Sequence, residues 1–281
     1  MWHMYVLLRI TLALCLAQTA LFGAEDYRKL NFDLFEAAGA GEIERVSELL
    51  DQGASVKARN RFGNTALIYG VRGGHMATAE LLLERGADVD QANLNGHTPV
   101  YEAAKGGRTE LVRFLIGRGA DVNRVTMETV SPLSVAVYNG HTDLVPLLLD
   151  AGARVDFVDN SGKTCVVYAA AGNSAEALVL LLDADVAVDQ RYGNALTALM
   201  WASGYGANDS VRLLLDRGAD PNLVDDRGRT ALMMAAQNGH SETVEMLSGA
   251  GARTDIRDQA GKSALDLARE AGHPNLLPSG G

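Results

Sequence analysis

Short apolar stretches alternate with polar, glycine-marked breaks along most of the chain. Leucine runs stand at Leu81-Leu82-Leu83, Leu147-Leu148-Leu149 and Leu213-Leu214-Leu215. Alanine pairs stand elsewhere along the chain, at Ala103-Ala104 and Ala235-Ala236. The alternation has a period of 33 residues, marked at Phe32, Thr65, Thr98, Ser131, Thr164, Thr197, Thr230 and Ser263, without insertion or deletion. Five residues after each mark lies a small residue: Ala37, Gly70, Ala103, Ala136, Ala169, Ala202, Ala235 or Ala268. Nine residues after it lies Gly41, Gly74, Gly107, Gly140, Gly206, Gly239 or Gly272, with Asn173 as the exception. His75, His141, His240 and His273 follow four of these glycines directly.

This pattern predicts pairs of short helices. The Thr or Ser hydroxyl caps the first helix by accepting a free backbone N–H. Pro99 and Pro132 directly after a cap suit a first turn, where no N–H is needed. The small residue lets neighbouring helices approach. The glycine ends the first helix in the left-handed region, which costs other residues energy. The leucines supply the buried face of the second helix. A second glycine, as in Gly86-Ala87-Asp88, Gly119-Ala120-Asp121 and Gly218-Ala219-Asp220, ends that helix before a projecting turn. No unit could bury its apolar face alone, so the units must stack. The expected fold class is all-α.

These residues resemble the ankyrin repeat. The likeness is plainest from Thr98-Pro99-Val100 through Ala103-Ala104, Gly107 and Gly119-Ala120-Asp121-Val122-Asn123, and again in Thr230-Ala231-Leu232, Ala235-Ala236 and Gly239-His240. It covers about 26 to 277. It implies a solenoid of helix-turn-helix units with projecting loops and β-turns: seven repeats and a C-terminal half repeat over 25–277, then a tail, 278–281. Phe32 in place of Thr marks the first unit as an N-terminal cap, and Asp266, Arg269 and Glu270 suit a closing half unit facing water. The family's first-helix histidine is missing. Phe35, Ile68, Tyr101, Ser134, Val167, Met200, Met233 and Asp266 hold its places.

Residues 1–24 break the pattern. Arg9 is their single formal charge, and Ile10 to Phe22 is mostly apolar. The run is short of the roughly 20 apolar residues a membrane span needs. It reads as a secretory signal peptide ending near Gly23-Ala24. A lipoprotein signal at Cys15 and a hydrophobic cap helix are the other readings. Export is the expectation, to the periplasm in a bacterium and otherwise out of the cell.

The formal net charge is −10, and no basic stripe interrupts it. Nucleic acid is therefore not an expected partner, because phosphates are neutralised by clustered Lys and Arg. Once residues 1–24 are removed, Cys165 is the single cysteine, read as a small buried hydrophobe. The repeated histidines read as scaffold. No cysteine pair suits zinc, no phosphate-binding loop follows a strand, and no acid pair is singled out. No catalytic residue, metal or cofactor is expected, nor an integral membrane span.

The fifth repeat departs most. Asn173 and Asp185 replace its two helix-ending glycines, and the loop Gln190-Arg191-Tyr192-Gly193-Asn194-Ala195 lacks an acidic or amide residue at the usual position. Drift in a tolerant scaffold and a loop re-aimed for contact are both open.

The resemblance implies that partners dock on the concave side, on loop tips and first-helix ends. By register these include Asn64, Leu94, Asn95, His97 and Met127. Aromatic and arginine side chains are the commoner interface anchors. Phe62, Arg72, Lys105, Tyr138, Asn139, Tyr192, Tyr205 and Arg229 are the candidate protein-binding residues, while Tyr69, Tyr168 and Trp201 are expected to pack. The expected function is a monomeric, non-enzymatic protein-binding scaffold or regulator. A secreted effector acting on a host protein is the alternative, with a ligand-binding or catalytic protein framed by the repeats behind it.

Overall fold

The computed structural model describes residues 27–276, and the expected export signal and tail lie outside them. Among these residues all regular structure is helical. α1 covers 27–40, and α2 is Ile43–Asp51. The pairs that follow are α3 (Ala66–Gly73) with α4 (Met76–Glu84), α5 (Pro99–Lys105) with α6 (Thr109–Gly117), α7 (Pro132–Tyr138) with α8 (Leu144–Asp150), and α9 (Cys165–Ala171) with α10 (Ala175–Leu182). Then come α11 (Ala198–Tyr205) with α12 (Asn208–Asp216), α13 (Ala231–Asn238) with α14 (Ser241–Gly249), and α15 (Ala264–Glu270). The chain divides into two compact units. One runs to Ala103 and includes Glu110–Ala120; the other comprises Ala104–Thr109 and everything from Asp121 onward.

The caps form as the hydroxyl register predicts. Thr65, Thr98, Ser131, Thr164, Thr197, Thr230 and Ser263 each accept the backbone N–H three residues on, at 3.1–3.4 Å. Such a bond stabilises a helix by about 1 kcal/mol. Asp266 completes a reciprocal cap by accepting the Ser263 N–H at 2.9 Å. Phe32 differs: it lies inside α1, exposed on its surface, and caps nothing.

The small residue five steps on is buried in every unit, from Ala37 to Ala268. In the second unit, neighbouring first helices pack in the order α7, α9, α11, α13, α15, and second helices in the order α8, α10, α12, α14. Within each leucine run the middle residue (Leu82, Leu148 or Leu214) is fully buried and its neighbours are half-buried. Full burial of one leucine stabilises by roughly 1.5–3 kcal/mol.

The glycine nine steps on adopts positive φ, from 65° at Gly107 to 87° at Gly272. Its neighbour in the next unit explains a second constraint. His75 Nε2 bonds Gly39 O at 3.0 Å, His141 Nε2 bonds Lys105 O at 3.1 Å, and His240 Nε2 bonds Gly204 O at 3.1 Å. Each ring lies where a side chain on the preceding unit's glycine would project. A Cβ on Gly41, Gly107, Gly206 or Gly239 would come within 2.7 Å of His75, His141, His240 or His273. Gly140, whose counterpart is Ser174, has nothing within 4 Å.

At the irregular joint both halves of this device change. Asn173 takes φ 55° in the glycine's place, and Ala207 stands where the histidine would be. Asn173 Oδ1 accepts the Asp209 and Ser210 N–H groups at 2.9 and 3.2 Å, and its Nδ2 donates to Asp209 Oδ2 at 3.0 Å. The asparagine thus caps α12 from the preceding repeat. Asp185 also adopts positive φ, at 62°.

Candidate functional site

The projecting loops are built on one acceptor each. Asn60, Asn93, Thr126, Asp159, Asp225 and Asp258 accept the N–H groups two and four residues ahead. Adjacent loops are joined by backbone bonds such as Leu94 N–H to Phe62 O at 3.0 Å and Gln259 N–H to Arg227 O at 2.9 Å. Tyr192 occupies this acceptor position in the fifth loop and has no short acceptor to offer. A 3-10 turn over Gly193–Ala195 replaces the motif, with Asn194 and Ala195 at φ 60° and 57°.

The structure therefore places Tyr192 differently from the other candidate anchors. Its hydroxyl is buried beside Thr164 and Cys165 without a well-aligned acceptor, and burial raises its pKa. A residue filling the inside of its own loop presents little to a partner. Asn64 also turns inward: it is buried, and its Oδ1 accepts Asn93 Nδ2 at 2.8 Å.

In the first unit Phe62 is 54 % exposed, with the Arg61 guanidinium 4.7 Å from its ring centre. Phe32, Phe35, Glu36, Asn60, Phe62 and Tyr69 line a groove of about 860 Å³. Phe35 and Tyr69 stack within it at 5.9 Å. Arg72, from α3, donates to Glu102 Oε1 at 2.6 Å, and His97 Nδ1 lies 2.8 Å from the same oxygen. Glu102 is only 6 % exposed. Burial alone would raise its pKa, but the His97 and Arg72 hydrogen bonds prevail and hold it at about 2.

In the second unit Tyr138 is 68 % exposed and Tyr205 59 %. Each rests against a second ring. Tyr138 meets Tyr168 edge-on at 5.1 Å, and Tyr205 stacks with Trp201 at 6.2 Å. Lys163 Nζ lies over the Tyr168 ring at 5.7 Å and the Trp201 ring at 5.4 Å. Tyr168 and Trp201 pack as the register suggests, yet they also brace the exposed rings. Lys105 and Asn139 adjoin: Asn139 Nδ2 donates to Lys105 O at 3.3 Å. Arg229 makes paired bonds to Asp225 Oδ2 at 3.1 and 3.0 Å, with Asp225 buried. Arg229 and Tyr205 share a groove of about 420 Å³ with Leu196, Met200, Trp201 and Met234.

Lys163 escapes the sequence reading, although its register offers a signal. It directly precedes the cap Thr164, as His97 precedes Thr98 and Arg229 precedes Thr230. His97 reaches Glu102 of α5, Lys163 lies over the rings of α9 and α11, and Arg229 lines the groove beside α11.

Among the described residues no group of three His, Cys, Asp or Glu could hold a metal ion. Burial pushes the Cys165 thiol up to about 12, and its Sγ donates to Val155 O at 3.3 Å. A thiol so placed is a poor nucleophile. Among the described residues no helix is long and apolar enough to cross a membrane.

No curated protein matches this chain. A family model for ankyrin repeats matches three times, over residues 34–126, 133–225 and 199–278, which together exceed half the chain. With the capped helix pairs and the left-handed glycines between them, this establishes that the chain belongs to the ankyrin-repeat family.

Proposed function

We propose that this protein is an exported, non-enzymatic scaffold or regulator that binds a protein partner through its first-helix ends and loop tips. The family generally mediates protein–protein interaction, which supports a protein as the ligand. The observation that carries the reading is the pairing of exposed and bracing rings at Tyr138 and Tyr205. Most of each outer ring faces water, while the ring beneath fixes its position. Large apolar area held rigidly on a helix end loses little conformational entropy on binding. Phe62, Arg72, Lys105, Asn139 and Arg229 are the other contact residues proposed. Tyr192 contributes by shaping its loop.

Export rests on the first 24 residues: Arg9, then the apolar run Ile10 to Phe22, then Gly23-Ala24. The address is periplasmic in a bacterial host and extracellular otherwise. Mass spectrometry of the mature N-terminus tests it; a chain that still begins at Met1 or Met4 would sink export. The binding face is tested by affinity capture from the native compartment, with the wild-type chain and a Tyr138→Ala/Tyr205→Ala variant as baits. A protein held by the first and released by the second is expected. A partner held equally by both would place the binding face elsewhere.

A further inference from the structure

The first unit carries its two signs of charge on different elements. Its first-helix and loop segments (27–41, 57–74 and 91–103) hold Arg28, Lys29, Lys57, Arg59, Arg61 and Arg72. Against these six bases stand three carboxylates, Asp33, Glu36 and Glu102, leaving a formal +3. Its second-helix segments (42–56, 75–90 and 110–120) hold four arginines against nine carboxylates. The chain's formal net charge is −10, so the positive segments run against the whole. They also wall the groove lined by Phe32, Phe35, Phe62 and Tyr69. We propose that this groove binds an acidic peptide segment through an apolar anchor, a partner class that rests on the protein-binding reading above.

The charge that selects this occupant is unneutralised. Arg61 lines the groove with its guanidinium over the Phe62 ring, and among the described residues it meets no carboxylate. Arg59 directs its donors to carbonyls: Nε bonds Gly63 O at 3.2 Å and Nη2 bonds Ala92 O at 2.9 Å. Carbonyls hold a guanidinium in place without cancelling its charge. Arg72, Arg85 and Arg118 of the same unit differ, since each meets a carboxylate, Glu102, Asp51 and Glu80 respectively. Arg59 and Arg61 flank Asn60 in one loop, so two open positive charges stand together at its tip.

The rings define the other half of the ligand. Phe32 and Phe62 are 58 % and 54 % exposed although both face the groove. Apolar area of this kind is covered when an apolar side chain seats in it. Glu36, exposed on the α1 wall, is the carboxylate of this lining. It repels an acidic side chain and so directs the ligand's acids toward the loop wall of Arg61.

The probes are three rhodamine-labelled decapeptides, read by fluorescence anisotropy with the full chain. One carries Asp and Glu around a central Phe-Leu pair; the second replaces its acids by Asn and Gln, the third by Lys. The chain's net charge alone favours the lysine peptide, whereas the proposal predicts the reverse order, with the acidic peptide about tenfold tighter than the amide peptide. Arg61→Glu and Phe62→Ala should each weaken its binding roughly tenfold, and Glu36→Gln should tighten it about twofold. Arg113→Glu, the same charge change on α6, should leave it unchanged. Equal binding of the acidic and amide peptides overturns the proposal, as does no saturable binding up to millimolar peptide. So does weakening by Glu36→Gln, or a thymidine decanucleotide bound more tightly than the acidic peptide. If the acidic peptide fails while Tyr138/Tyr205-dependent protein capture persists, only this groove's partner class falls; if that capture fails too, the protein-binding reading falls with it.

Discussion

Ala207 should accept histidine only where glycine has replaced Asn173. Asn173→Ala removes the two hydrogen bonds that cap α12 and leaves a β-carbon at φ 55° without the amide that favours it. Each loss is about 1 kcal/mol, so the variant should lose about 2 kcal/mol. Asn173→Gly relieves the backbone but loses the cap, and should lie within about 1 kcal/mol of wild type. Ala207→His alone places an imidazole where the Asn173 β-carbon already sits, since at the four Gly–His joints a β-carbon on the glycine would lie within 2.7 Å of the ring. It should cost about 1–3 kcal/mol. In the double variant the ring has room, and its Nε2 can reach the Ala171 carbonyl as His240 reaches Gly204. That bond returns about 1 kcal/mol. The double variant should therefore be more stable than Ala207→His alone, with a coupling of at least about 1.5 kcal/mol. Urea unfolding followed by circular dichroism measures all four stabilities. The reasoning is refuted if the two changes add, or if Ala207→His stabilises the chain while Asn173 is present.

Three further outcomes rest on other features. Glu102→Gln should destabilise at neutral pH by on the order of 2 kcal/mol, because it weakens a buried, doubly hydrogen-bonded carboxylate. The folded pKa of Glu102 is lowered from 4.5 to about 2. Its contribution is therefore fully present above pH 4.5 and fades as pH falls toward 2, so the gap between wild type and variant should close over that window in pH-dependent melts. Ala195→Gly should raise stability by up to about 1 kcal/mol, seen as a higher Tm, because glycine adopts φ 57° without the β-carbon penalty. Ala202→Leu should cost about 1–3 kcal/mol or more by denaturant titration, since the alanine is fully buried between packed first helices.

The helix pairs were legible because their signals are local. A hydroxyl three residues before the N–H it accepts, or a glycine at a fixed step, can be recognised without knowing what lies across the joint. Thr164 and Gly206 behave as their register predicts for that reason. The side chains that reach between repeats were less legible. Asn173 reads as a lost glycine until its partners, 36 and 37 residues later, are known. Arg229 reads as a free anchor until Asp225 is seen holding it. Tyr192 shows the limit most clearly. Its position marks the loop as irregular, but whether the ring points out or in depends on space beside Thr164 and Cys165. The exposure of Tyr138 and Tyr205 follows from register alone, whereas the position of Lys163, between the rings of two repeats, depends on their relative placement.

The glycine–histidine contact also decides where this chain can be cut and rejoined. Its two members lie 34 positions apart, so the inherited module is a junction and not a helix pair. Excising 207–239 would bring His273 opposite Gly206, a compatible match. Excising 174–206, a segment of equal length, would bring His240 opposite Asn173, where the ring and the side chain compete for one space. Two deletions that look equivalent on the 33-residue ruler should therefore give one shortened protein that folds well and one that is flawed at its seam.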